Sequence, residues 1–523
     1  MAKMRFRRQS CRRQHGLLAQ FRFFAHAKFE KNTKFGEELL KYHHELYVDK
    51  AHMRPDLYLK GNENKHAHDN RLRRNIPFVY SNEVKNIAEL KGNPLTLVNV
   101  KNENDESFGV ATFNPYALIT ARIISTNALF SVNVNFFVER MKKALAWRSK
   151  VIEGGRHANW GGGLSGGEAP NLCEAPKWNK RLREDEQLSA GEAPTGSILS
   201  TGTPVPPIDS IPQNGGNPPI EAPLLPSDTS YRLINGEGDN LPGLIIDRYD
   251  DYVAIQHLTL GMELLAATIN EAVMEVLNPK AILFRNDNKE RLNERLDIYK
   301  KVLHGRIPEQ VMLTENHCLF LIDMLNSPNT GWFHNRRHVR QLLSDYAYDK
   351  KVLDLFSYVG SFGIQCSKKG KAKKVLCVEK DSKFTELAKE SAYLNNLTNK
   401  DIEFVSSDAI TFLENCKELF DIVILDPPNL IPKSKFLLSG AKRYVQLISL
   451  AKNCVSSNGL LLIIFSTKLC SYQDHINMIN ESFIDSNRNV KIVGQGRGSP
   501  DHPADLSLYL FADFYWFLLQ VGF

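Results

Sequence analysis

The sequence predicts an α/β protein whose C-terminal part, residues 326–523, folds as a Rossmann-like, doubly wound parallel sheet. Three observations predict it. Short Val/Ile/Leu runs alternate with helical segments from "KVLDLFS" to "GLLLIIFS". Acidic residues stand at the ends of successive runs. An abrupt change of composition over 153–228 also separates this part, and a small α+β unit at 229–325, from a β-rich module at 71–150.

At 523 residues the chain exceeds a single core of about 100–200 residues, so two or three folded units are expected. It is 42% hydrophobic and lacks an unbroken apolar run of about 18 residues, which argues against a membrane partner. The net charge of +7 suits a polyanion, although much of the excess lies near the start. The eight cysteines (Cys11, Cys173, Cys318, Cys366, Cys377, Cys416, Cys454 and Cys470) form no CxxC pair. That spacing excludes a structural zinc site or a disulfide framework, and no metal is expected.

Within residues 1–29 lie Arg5, Arg7, Arg8, Arg12, Arg13 and Arg22, with the first acid at Glu30. This is the composition of an organellar transit peptide, so 1–45 is expected to be a disordered mitochondrial or plastid-type leader. The plain alternative is a basic tail that touches RNA.

In the β-rich module, "PLTLVNV" and "FGVATFNPYALITARIIS" flank the polar turn "KNENDES" and read as a hairpin. "VNFFVERMKKALAWRSKVI" then carries apolar residues at helical spacing. Residues 153–228 are rich in Gly, Pro and Ser and repeat the tetrapeptide GEAP. Such a segment buries too little apolar surface to offset its ordering entropy, so it is expected to be a disordered insertion. In the α+β unit, strands "GLIIDRY" and "YVAIQHL" precede the helix "MELLAATINEAVMEVL" and the strand "AILFR".

In the last unit, "VLDLFSYVGSFGIQC" is a buried strand, a glycine turn and a helix start, with Asp354 on the strand and Gly360 and Gly363 in the turn. Glycine permits close backbone approach to a ligand, and a helix N-terminus offers free N–H groups. Glu379 ends the next strand, where a carboxylate can accept from both ribose hydroxyls of an adenosine. Asp408 follows the third strand, within reach of an adenine amino group. Each acid alone reads equally well as a helix-opening residue; three at successive strand ends point to one site. GxGxxG and GxxxxGK[ST] are both missing, so the pattern reads as S-adenosylmethionine (SAM) binding. "DIVILDPPN" completes it: Asp426 at a strand end, then Pro427 and Pro428, whose fixed φ and missing N–H groups make a stiff turn. In SAM enzymes of this layout such an acid–proline turn faces the target base, so these three are the expected catalytic residues.

From about residue 71 onward the chain resembles the bacterial large-subunit rRNA cytosine-5 methyltransferase I family. The resemblance rests on "IPFVYSNEV", "INGEGDNLPGLIIDRYDDYVAIQ", "TGWFHNRRHVR", "VLDLFSYVGSFG" and "SPDHPADLSLYL". It implies a PUA-like RNA-binding domain over 71–150 with a trailing helix, a central α+β domain, and a class I SAM methyltransferase domain acting on rRNA. Carried over by position, the cofactor pocket takes Phe356, Tyr358, Gly360, Glu379, Asp408 and Asp426, with Asn335 and Arg336 beside it. Arg122 and Tyr116 are the expected RNA contacts of the PUA module, and Tyr444 that of the catalytic unit. A homodimer is left open.

The catalytic half departs from the family. Methylation of cytosine carbon 5 proceeds through a cysteine thiolate added at carbon 6. The family's "SCS" segment reads here "STKLCS", placing Ser466 or Thr467 where the cysteine is expected and Cys470 a few residues on. The family's YKxxN reads "YVQLI", with Val445 and Ile448 for its lysine and asparagine. Three readings follow: a 5-methylcytosine enzyme with Cys470 as a relocated nucleophile, a base N-methyltransferase needing no cysteine, or a non-catalytic SAM-binding RNA-binding factor in ribosome assembly.

Overall fold

A computed structural model of the chain describes residues 49, 51–60, 72, 76–91, 97–154, 228–484, 486–506, 508 and 514–522. The expected leader at 1–45 lies outside them, as does nearly all of the 153–228 insertion.

The first sheet contains β1 (Asp56–Tyr58), β2 (Phe78–Tyr80), β3 (Leu97–Lys101), β4 (Ser107–Phe113) and β5 (Ile119–Ser125), in the order β1-β3-β4-β5-β2. A one-turn helix, α1 (Ile87–Leu90), follows β2. Val98, Val100, Ala111, Phe113 and Ala121 fill the interior. The expected hairpin is β3–β4. β1 pairs in parallel with β3, so this unit begins before residue 71, where the sequence reading started it.

The helix α2 (Val134–Gly154) is amphipathic as expected, burying Phe137, Met141, Leu145, Arg148 and Ile152 on one stripe. It closes the first unit and the central one together, since Leu97, Val110 and Ile124 of the first sheet lie in its core. Its apolar stripe shares a core with Tyr231, Leu233, Ile246 and Ile269 of the central unit, and buried Arg148 forms a bidentate pair with Asp239 at 2.6 Å for each bond. The helix expected to trail the 71–150 domain thus joins two units, because its apolar face is buried against both.

The central unit has β6 (Ser230–Asn235), β7 (Leu244–Tyr249), β8 (Tyr252–His257), α3 (Leu260–Leu264), α4 (Ala266–Leu277), β9 (Ala281–Asn286) and β10 (Tyr299–His304). Its sheet runs β10-β9-β8-β7-β6. One face packs on α2 and α4. Tyr249, Ala254, Ala281 and Leu283 on the other join a core with the hairpin β11 (Val311–Glu315) and β12 (Cys318–Ile322), which also holds Val352 and Val375 of the last unit. The hairpin therefore lies between the two units, and no boundary in the packing falls at 325.

The last sheet comprises β13 (Lys351–Leu355), β14 (Lys374–Glu379), β15 (Ile402–Ser406), β16 (Phe420–Leu425), β17 (Val455–Phe465), β18 (Val490–Gly496) and β19 (Tyr515–Val521). Their order is β15-β14-β13-β16-β17-β19-β18, with β19 antiparallel to both neighbours. Alternate residues face opposite sides, so Val352, Val375 and Ile424 enter one core and Leu353, Val378 and Leu425 the other. Helices α5 (Arg337–Asp345), α6 (Ser361–Lys368) and α7 (Ser382–Leu394) cover the first side. Helices α8 (Ala409–Asn415), α9 (Leu437–Ala451) and α10 (Tyr472–Phe483) cover the second. No helix among the described residues is long and apolar enough to cross a membrane.

Candidate active site

Strand register sets the site. Leu355 is level with Val378 on one side and Leu425 on the other, so Phe356, Glu379 and Asp426 start three adjacent loops at one edge of the sheet. Glu379 in turn is level with Ser406, two residues before Asp408. The acids that the sequence placed at successive strand ends thus converge on the carboxyl edge, over the point where strand order reverses.

The loop after β13 is unusual in its backbone. Phe356, Tyr358 and Gly360 have φ of 59°, 54° and 74°, a region that costs bulky residues on the order of 1–3 kcal/mol each. Specific bonds hold it there. Tyr358 N–H donates to Glu379 at 2.9 Å, Tyr358 O–H to the Gly331 carbonyl at 2.8 Å, and Gly360 N–H to the Ser357 carbonyl at 2.8 Å. The Tyr358 ring meets Phe333 and Phe384 edge to face. A Cβ on Gly360 would stand 3.1 Å from the Phe404 ring.

Asp354 does not line this loop from outside, as expected from sequence. It is buried beneath it, accepting from Gly363 N–H at 3.0 Å, while Oδ1 has no partner. Burial pushes its carboxyl up to about 7, against the opposing pull of the Gly363 N–H. At Asp408 burial also opposes ionisation, but the Ile410 and Thr411 N–H groups and Lys380 outweigh it and hold the carboxyl below its ordinary value. Asp408 thus caps α8 and keeps Oδ2 toward Lys380 at 3.5 Å.

At the Asp426 end, Arg336 donates Nε to Oδ2 at 2.6 Å and Nη2 to Oδ1 at 2.9 Å. The guanidinium also bonds Ser466 Oγ at 3.0 Å and Asn335 Oδ1 at 2.9 Å, and lies 4.6 Å from the Phe333 ring centre and 4.9 Å from that of Phe514. Pro427 is buried and Pro428 exposed. Sequence reasoning missed Phe333 and Phe514; Phe514 is remote in the chain, and only folding brings it here.

The 330–340 segment is fixed from two directions. Thr330 donates to Asp247, Tyr249 donates to Thr330, and Trp332 N–H donates to the Tyr249 hydroxyl. Glu315 accepts from Trp332 Nε1, Arg340 and Gln365. The "IIDRY" run thus acts as the support of "TGWFHNRRHVR". From the late segment, Ser499 N–H donates to the Asn335 carbonyl, and Asp501 lies 3.6 Å from Arg337.

Four sequence expectations are corrected here. Cys470 sits with Leu425, Tyr444, Phe465 and Met478 in an apolar core; burial, with Asp474 adding to it, pushes its thiol up to about 12. A nucleophilic cysteine requires the opposite shift. Tyr444 is fully buried, its hydroxyl 3.5 Å from Ser466 N–H, so it props the end of β17 and presents nothing to RNA. Arg122 is spent on Glu294 of the central unit at 2.6 Å. Asp354 pins the loop beneath the pocket, as described above. Tyr116 remains 42% exposed, with Arg295 over its ring at 4.7 Å.

The residues present fit SAM. Glu379 and Asp408 offer acceptors where a nucleoside would lie, and the left-handed loop leaves room for close approach. A seven-stranded sheet of this order, with this loop and a DPP turn, defines a class I SAM-dependent methyltransferase. Residues 311–443 match the TRM5/TYW2 methyltransferase domain, and residues 65–126 a PUA-like domain. Two solved structures share the fold over 89% of this chain at 18% identity. One is a protein assigned as a methyltransferase, complexed with SAH (TM-score 0.62, 99% of that chain). The other is a Streptococcus mutans protein assigned as a SAM-dependent methyltransferase (0.61, 100%). Ribosomal RNA large subunit methyltransferase I of Aliivibrio fischeri is 34% identical over 282 residues, 53% of this chain and 71% of that one. Its Aeromonas salmonicida counterpart is 32% identical over 53% and 70%. The Vibrio cholerae protein of that name aligns at 28% over 87% of this chain and 96% of its own. The chain belongs to the ribosomal RNA large subunit methyltransferase I family and is a SAM-dependent RNA methyltransferase.

Proposed function

We propose that this enzyme methylates a base of organellar large-subunit rRNA at an atom that attacks without prior covalent activation, such as an exocyclic amino or ring nitrogen. The observation that carries this is the composition of the Asp426 corner. Ser466 is bonded to Arg336, Thr467 is buried and donates to the Ile431 carbonyl, and the Cys470 thiol is held in the core. Among the described residues no exposed cysteine stands at this corner. SAM supplies the electrophilic methyl group. The Asp426 carboxylate and the carbonyls of the DPP turn offer acceptors to base N–H groups, and the Arg336 pair keeps Asp426 in place. Phe333 and Phe514 cover the Arg336 guanidinium at 4.6 and 4.9 Å.

The second reading is a 5-methylcytosine enzyme, favoured by the family resemblance. It requires Cys470 to leave its apolar cluster and lose a proton held to about 12. The test is transfer from radiolabelled SAM to organellar rRNA, with the product nucleoside identified by mass spectrometry. An N-methylated base whose yield survives Cys470→Ala is expected. A 5-methylcytosine product that vanishes with Cys470→Ala would refute the proposal. SAM binding without transfer to any RNA would move the chain to the non-catalytic reading. The organellar assignment, mitochondrial first and plastid-type second, rests on the arginine-rich, acid-free residues 1–29. Loss of organellar import from a fusion lacking them is the expected result, and unchanged import would remove its support.

A further inference from the structure

Between Pro427 and Gln473 the chain has no acidic residue and six cations: Lys433, Lys435, Lys442, Arg443, Lys452 and Lys468. Lys452 is turned inward onto the Ser482 carbonyl, and the other five are exposed. This run begins at the DPP turn, the end of the pocket where the target base has to sit. Phe436 stands exposed within it, with the Lys435 ammonium 4.9 Å from its ring centre. Burying Phe436 in the adjacent core would have been the default for so large an apolar side chain.

A chain of contacts connects this loop to the N-terminal module. Thr467 Oγ1 donates to the Ile431 carbonyl and ties the end of β17 to the loop after β16. Lys468 reaches Glu290 of the central unit at 3.4 Å. A few residues on, Arg295 lies over exposed Tyr116 of the first sheet. A path of contacts therefore runs from the Asp426 corner to the PUA-like sheet, with exposed Lys433 and Lys435 near its start, the Lys468–Glu290 pair midway, and an aromatic ring near each end.

We infer that this path, with Lys433, Lys435 and Lys468 on phosphates and Phe436 stacking a base next to the target, is the track of a single-stranded RNA segment. The inference rests on the RNA methyltransferase reading and names the surface that reading lacks, now that Arg122 and Tyr444 are committed elsewhere. Lys433 and Lys435 have no acid between them and attract a phosphate backbone, Lys468 can exchange its exposed Glu290 partner for a phosphate, and the exposed ring of Phe436 offers a stacking platform that a duplex cannot use.

The test measures binding of the full chain to a fluorescein-labelled single-stranded fragment of large-subunit rRNA across a series of KCl concentrations, with SAM affinity measured in parallel. Lys433→Glu, Lys435→Glu and Lys468→Glu combined are expected to weaken RNA binding at least about 30-fold and to flatten the log–log salt slope by about 2. Phe436→Ala should cost roughly tenfold without changing the slope. SAM affinity should hold throughout. Lys351→Gln with Lys374→Gln, at the opposite end of the sheet, should change nothing. If the charge-reversed protein fails to fold, the same three positions as glutamine carry the test, with a slope change of the same sign. Unchanged affinity and slope in the folded variants would overturn the surface while leaving the enzyme reading intact. Wild-type protein that binds no RNA would overturn both.

Discussion

Arg336 lies across the Asp426 carboxylate with two bonds, and the guanidinium is stacked between Phe333 and Phe514 with Ser466 on its remaining edge. Both side chains are largely out of water, 8% and 13% exposed. A pair in this setting is worth little over an apolar replacement, but removing one member strands the other. Arg336→Ala is therefore expected to cost about 3–5 kcal/mol in stability and at least about a hundredfold in methyl transfer. Asp426→Asn on top of it should add far less than it does alone. Urea denaturation and single-turnover transfer of the two single variants and the double variant decide it. Strictly additive losses would mean that the two groups do not act as a unit.

Gly360 adopts φ of 74° and faces the Phe404 ring. Gly360→Ala puts a methyl group where the backbone conformation and the ring both resist it, at a cost of about 1–3 kcal/mol. Calorimetric titration should show SAM affinity falling about tenfold or more while the far-ultraviolet spectrum is unchanged. Wild-type affinity in that variant would show that the left-handed turn is not where the cofactor lies.

The parallel sheet and the convergence of Glu379, Asp408 and Asp426 were legible because they depend on local patterns: apolar runs of strand length, each closed by an acid. The role of Asp354 was not. Its position on the strand suggested a ligand, whereas its side-chain direction, set by the pleat, turns it under the α6 N-terminus. Arg122 and Tyr444 look like RNA contacts as residue types, but their partners, Glu294 and Ser466, are distant in sequence. The long amphipathic helix α2 was visible by its period; which sheet its stripe would cover was not, because periodicity states that a face is buried and not against what.

Asp354 also predicts a pH dependence. Its carboxyl rises from an ordinary 3.8 to about 7 on folding, so the folded state disfavours the ionised form. The penalty is absent below pH 4, grows as pH climbs from 4 to 7, and is complete above 7, where it reaches on the order of 4 kcal/mol. Asparagine can still accept from Gly363 N–H and carries no charge. In SAM-free protein Asp354→Asn should therefore melt progressively higher than wild type as pH is raised from 4 to 7, with a constant gap beyond. A gap independent of pH would place the ionised carboxylate in a site that tolerates it.

Arg122 distinguishes a structural role for the PUA-like module from a direct one. Its Nη2 donates to Glu294 Oε1 at 2.6 Å, and Glu294 also accepts from Asn114 Nδ2 at 2.8 Å, so this carboxylate fastens the first sheet to the central unit. Arg122→Ala leaves Glu294 buried with one partner fewer, and about 2–4 kcal/mol should be lost from that junction. Hydrogen exchange is expected to rise in β4 and β5 while the last sheet keeps its protection. RNA affinity should fall modestly through loosened docking, with the salt slope unchanged, since no phosphate contact is removed. A direct contact would leave exchange untouched and flatten the slope by about 0.7. Whether exchange rises or stays unchanged therefore decides whether this arginine holds the module or meets the nucleic acid itself.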